Sequence, residues 1–118
     1  MTKTKLPVGT VLWVSEFSYA GKPGGKQAPG VVLTSQRYHE LRPDVIVARI
    51  TSKMYHASGF GAVAIHDWKG CGLDTPSVIK PFLMTIDQDQ ILRVAGQLDA
   101  QTLADLKTAF KNIFPLAS

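Results

Sequence analysis

From Val11 to Val14 the chain is apolar at every position. A two-residue period over 9–16 puts Val11 and Trp13 on one face and Leu12 and Val14 on the other, a strand covered on both sides. The β-branched pair Val31-Val32, followed by Leu33, predicts a second short strand over 31–35. The alternation over 45–51 predicts a third. There Ile46, Ala48 and Ile50 form the core face, while Val45, Val47, Arg49 and Thr51 share a face that begins apolar and ends polar. The end of that strand is therefore expected to present Arg49 and Thr51 to solvent or to a ligand. Shorter apolar runs predict strands over 62–66 and 77–81, a piece over 85–87 followed by one helical turn over 88–91, and a last segment over 92–98. The final element has the other period. Asp99 is a good N-cap, and Leu103, Leu106, Phe110, Ile113 and Phe114 follow at three- and four-residue steps, with Lys107, Lys111 and Asn112 off the stripe.

The stretches between these elements read as loops. Residues 21–30 hold four glycines, two lysines and two prolines, too many breakers for a helix, so 17–30 is expected to be a long basic loop rooted in the strand at Val31. Residues 36–44 are polar and closed by Pro43, and 51–61 and 67–76 are broken by glycines; residues 1–8 read as a disordered tail. Several short strands covered by one amphipathic helix imply a mainly β fold, a strongly bent sheet or partly open barrel with a C-terminal helix. The 118 residues make one domain, 1–118, with a core over about 9–114.

Charge sharpens this picture. The formal net charge is +4, but residues 1–53 carry eight Lys/Arg against three acids, and 54–118 carry five against six. An excess confined to the N-terminal half suits a face that meets a polyanion, although a solvated basic surface has the same signature. Cys71 is the only cysteine, so there is no internal disulfide, and three scattered histidines give no metal-ligand spacing; no metal and no cofactor are expected. No stretch reads as a signal peptide or a membrane span, and the expected home is the reducing cytoplasm.

With these residues placed, the chain resembles the PemK/MazF-like toxins of bacterial type II toxin-antitoxin pairs. The landmarks are residues 9–17, 25–35 and 45–52, then Asp67-Trp68 with 72–80, and 96–99 before the helix. The resemblance implies an SH3-like barrel of the PemK/MazF/CcdB kind and a metal-independent endoribonuclease acting on single-stranded RNA. It also implies a homodimer silenced by a cognate antitoxin. The family's threonine is matched by Thr51. Its arginine, to which proton transfer and phosphate stabilisation are owed, stands immediately before the proline of the second motif, where this chain has Ala28. Retention of the barrel as a non-catalytic module that binds nucleic acid or a protein partner is the alternative.

Cleaving RNA without metal needs a base for the 2'-OH, an acid for the departing 5'-oxygen and cations or donors for the charge at phosphorus. Thr51 and Ser52 can donate hydroxyl hydrogen bonds at the end of the third strand, where strand-end capping is their bland role. Lys26, two residues before Ala28, would project to the same side of an extended chain and bring a charge near the vacated position; otherwise it is a solvated loop lysine. The catalytic candidates are thus Thr51, Lys26 and Ser52, and the RNA-binding candidates Lys22, Lys26, Arg49, Lys53, His56 and Tyr55. His39, His56 and His66 are candidate bases, with His56 the better placed and His66 expected to be partly buried at a strand end. Phe17, Tyr19, Tyr55 and Phe60 are aromatics against which unpaired bases can stack. Trp13 and Trp68 read as core or interface, and Cys71 as an inert thiol.

Overall fold

The structure, a computed structural model, describes residues 5–18 and 24–116. Its strands are β1 (Thr10–Phe17), β2 (Lys26–Val32), β3 (Asp44–Thr51), β4 (Val63–Ala64), β5 (Val78–Asp87) and β6 (Ile91–Gln97). All pairings are antiparallel, in the order β4-β5-β3-β2-β1-β6, and the sheet is bent into a half-barrel. Helix α1 (Gln36–Leu41) joins β2 to β3, and α2 (Ala100–Ile113) ends the chain's ordered elements. Among the described residues no helix is long and apolar enough to cross a membrane.

Strand alternation explains why there are two apolar clusters rather than one. Val11, Val31, Ala48 and Ile50 face α2 and pack with Leu98 and Leu106. Their neighbours Leu12, Val14, Val32, Val45 and Val47 point the other way, into a second cluster with Leu6, Phe17, Ala28 and Ile86. Val45 and Val47 are therefore core together with Ala48 and Ile50, whereas Ile46, expected on the core face, is only half-buried and lies in neither cluster. Each fully buried aliphatic side chain contributes roughly 1.5–3 kcal/mol, so both clusters matter to stability. The α2 stripe behaves as its period requires: Asp99 accepts from the Thr102 N–H at 3.0 Å, and Leu103, Ala109 and Phe110 pack around the buried Leu106. Phe114, at the end of the stripe, is exposed.

Five expectations are corrected. Residues 26–30 are strand and not loop, because β1 supplies a pairing partner along them. Residues 36–41 are helical: the Ser35 hydroxyl caps α1 by accepting from the Tyr38 N–H at 3.1 Å, and Tyr38 and Arg42 both donate to Asp44. Strand β5 does not stop at Pro81. Between Ala48↔Leu83 and Ile50↔Ile79 it carries Lys80, Pro81 and Phe82 opposite the single residue Arg49, an irregularity that absorbs the missing proline N–H. At the other end β4 is only two residues long. The tail is ordered at least from Lys5, since Leu6 is buried and its N–H donates to Gln36 Oε1 at 2.8 Å; residues 1–4 lie outside the described residues.

A cationic cleft where two strands part

The ladder between β2 and β3 has three pairs, Gly30↔Arg49, Val31↔Ala48 and Val32↔Val47. Beyond it the strands separate. Upstream of Gly30, β2 stays with β1 through Trp13↔Pro29 and Val14↔Ala28, and Pro29 brings no N–H with which to extend the ladder towards β3. Beyond Arg49, β3 stays with β5 through Ile50↔Ile79 and Thr51↔Val78. The gap is a cleft of about 450 Å³ along the unpaired edge of β2.

Three segments wall it. The first is Lys26 to Pro29, with Trp13 behind; the second runs from Arg49 to Lys53; the third comes from the turn before β5 and supplies Leu73, Asp74, Thr75 and Ser77. The third wall is held by a close approach of backbone to β6. Gly72 has φ +83°, and a Cβ there would collide with the Ala95 carbonyl, so the turn reaches β6 only because residue 72 has no side chain.

Of the sequence-predicted residues, Lys26, Arg49, Thr51, Ser52 and Lys53 all line this one cleft. The Thr51 hydroxyl accepts from the Lys53 N–H at 3.2 Å, which leaves its own proton to donate elsewhere. Arg49 lies where β5 is irregular. Its Nε is buried and has no hydrogen-bond partner in the protein, so it is a charged donor that an entering acceptor would satisfy. Three cations, Lys26, Arg49 and Lys53, thus come from the two strand walls and make them electropositive.

Other candidates fall beside or away from the cleft. Tyr55 and His56 sit on the 3-10 turn Met54–Ser58, their rings 4.3 Å apart, next to the second wall without lining it. Partial burial, and then the positive charges of Lys80, Lys53 and Arg49, hold the His56 imidazole below its ordinary value, favouring the neutral ring. His39 is buried, with Nε2 2.5 Å from Thr34 Oγ1, and burial lowers its pKa; it is a structural residue and no base for this cleft. His66 is exposed, contrary to expectation, and its Nε2 lies 2.8 Å from Asp105 Oδ2 in a separate groove between β4 and α2. Lys22 and Tyr19 lie outside the described residues. Burial raises the Cys71 thiol pKa, as an inert thiol requires. Phe17 is core, edge-on to Phe82 at 6.0 Å.

Ala28 matters for what it does instead of carrying charge. It is 4% exposed and packs in the second cluster. Sequence reasoning missed Asp74, Thr75 and Ser77, and also Arg93, whose guanidinium lies 4.9 Å from the centre of the Trp13 ring across the β1–β6 pair Trp13↔Arg93.

Solved structures share this architecture. The Mycobacterium tuberculosis toxin MazF-mt6 aligns at 24% identity over 92% of this chain and 99% of its own, with a TM-score of 0.73. An endoribonuclease in complex with its cognate antitoxin from a mycobacterial species aligns at 17% identity over 98% and 99%, with a TM-score of 0.72. A MazE–MazF complex from Deinococcus radiodurans aligns at 17% identity over 97% and 100%, with a TM-score of 0.71. No curated protein matches by sequence. The model of the PemK-like, MazF-like toxins of type II toxin-antitoxin systems matches residues 8–114, nearly the whole chain, and the chain belongs to that family.

Proposed function

We propose that this toxin is a slow, metal-independent endoribonuclease for single-stranded RNA, acting in the cytoplasm as a homodimer and silenced by a cognate antitoxin. The observation that carries the reading is the convergence of Lys26, Arg49, Lys53 and the Thr51 hydroxyl on one cleft. A phosphate there would meet cations from two walls, satisfy the unpartnered Arg49 Nε, and accept from Thr51. His56, whose pKa is lowered first by desolvation and then by the neighbouring cations, is the base at hand beside the second wall. Attack of the 2'-oxygen on phosphorus expels the 5'-oxygen and leaves a 2',3'-cyclic phosphate and a 5'-hydroxyl.

The rate is expected to be low because Ala28 supplies no charge. Losing one preorganised charge stabiliser costs about 2.7–4 kcal/mol, on the order of a hundred- to a thousandfold, which slows such an enzyme without silencing it. The test is cleavage of single-stranded RNA in EDTA, with cyclic-phosphate ends, lost in Thr51→Ala. Light scattering on the same preparation checks the dimer against a single 12.8 kDa chain. Apolar surface for that dimer is present at Leu92 and Val94 on the edge strand β6 and at Tyr55 and Phe60, rather than at the two tryptophans, which are engaged with Arg93 and the first cluster.

The burial of Ala28 favours a second reading, a barrel that grips nucleic acid or a protein partner without cutting, since the position has been given over to packing. Intact RNA with wild-type protein that still binds it would select this reading.

A further inference from the structure

Charge is unevenly distributed around the cleft. The β2 and β3 walls bring Lys26, Arg49 and Lys53, whereas the wall from the turn before β5 brings no cation and one carboxylate, Asp74. Among the described residues Asp74 makes no ion pair, although three cations line the same cleft. A carboxylate would oppose a phosphate placed against it, so this wall suits a part of the ligand rich in hydrogen-bond donors. An aromatic surface belongs to the same cleft: Trp13 lines it, backed by Arg93 at 4.9 Å and paired across the strands with Pro29. A stacking ring and a carboxylate beside two cationic walls are groups that can engage a nucleobase and its phosphate together.

We infer that the cleft reads a base as well as a phosphate, with Trp13 stacking on it and Asp74 accepting from its exocyclic amine, so that an amino-bearing base is favoured there over uracil. The inference rests on the RNA reading above and deepens it. A carboxylate accepts only, so it pairs with the amines of cytosine, adenine and guanine. Guanine offers two adjacent donors and fits both carboxylate oxygens. Uracil offers one N–H flanked by two carbonyl oxygens, which the carboxylate repels. The cleft would thus select a nucleotide by its donor-rich edge while the cations hold its phosphate without regard to sequence.

The experiment uses U-rich pentaribonucleotides with methylated 2'-hydroxyls, which bind without being cut, bearing one central guanine, hypoxanthine, cytosine or uracil. Guanine against hypoxanthine isolates the amine, and cytosine against uracil repeats the comparison. Binding is followed by anisotropy and by Trp13 fluorescence in Trp68→Phe, which leaves Trp13 as the sole tryptophan. The inference expects quenching of Trp13 and a preference of roughly five- to a hundredfold for the amino-bearing member of each pair, reduced to near unity by Asp74→Asn. Asp74 is exposed, so the substitution has no packing to disturb. Binding by anisotropy without base preference, or a preference that Asp74→Asn leaves unchanged, overturns the inference and leaves the RNA reading standing. Binding without quenching removes Trp13 from it. Failure of every oligonucleotide to bind overturns both.

Discussion

Ala28 brings no charge to the cleft it lines, and its methyl group serves as packing. Its place before Pro29 identifies the family's arginine position, but only the structure shows that its methyl is buried in the second cluster, beside the space over Gly30 that Phe17 fills. Restoring the arginine is therefore a trade of packing for charge. The stem of Ala28→Arg must leave the cluster along the cleft edge, which overpacks the site and costs about 1–3 kcal/mol, while its guanidinium reaches the cleft that Ala28 already lines. We expect a lower melting temperature together with a rise in RNA cleavage of up to about a hundredfold, read by calorimetry and by a quenched RNA substrate. A melting temperature that falls with no gain in rate would show that the lost arginine was not the only loss. Lys26, Arg49 and Thr51 were legible because strand alternation and motif order concern neighbours in sequence. Asp74 and Arg93 were not, because their place depends on how the turn before β5 and the strand β6 fall against β1.

The elements follow the same division. The α2 stripe up to Phe110 is set by a local period and was visible, as were the positions of β1 and β3, although not which β3 residues are core. Helix α1 was hidden because its six residues bury only His39, so no apolar period marks them, and β2 was hidden by prolines and glycines that its partner β1 overrides. His39 fastens α1 to the sheet. The Thr34 hydroxyl accepts from the Ile46 N–H at 3.3 Å and lies 2.5 Å from His39 Nε2, and burial favours the neutral form of the ring. Burial lowers the His39 pKa, with the Leu6 backbone and the Asp44 carboxylate pulling partly the other way. The sign follows from linkage: the folded state refuses a proton that the unfolded state accepts near pH 6.5, so this stability is present above that value and is lost as pH falls through the folded-state value. Urea unfolding from pH 7.5 down to 5 should show stability falling, and His39→Gln, which cannot titrate, should be less stable at pH 7.5 with a flatter profile. An unchanged slope in His39→Gln would assign the acid sensitivity to other groups.

At the scale of the whole molecule, the N-terminal excess of charge becomes a directed field because the fold brings three of its cations to one cleft, while Lys107 and Lys111 stay on the exposed face of α2. Single-stranded RNA releases roughly 0.7 counterions for each phosphate neutralised, so three cations imply a slope of about −2 in a plot of log affinity against log salt. Removing one contributor should lower that slope by about 0.7 and weaken binding at low salt more than at high salt. Lys26→Ala and Lys53→Ala are each expected to do this. Lys107→Ala and Lys111→Ala should leave the slope unchanged, although every one of the four variants alters the net charge equally. Net charge alone would move all four alike, so anisotropy titrations between 50 and 200 mM salt decide whether the molecule attracts RNA through its total charge or through the parting of β2 from β3.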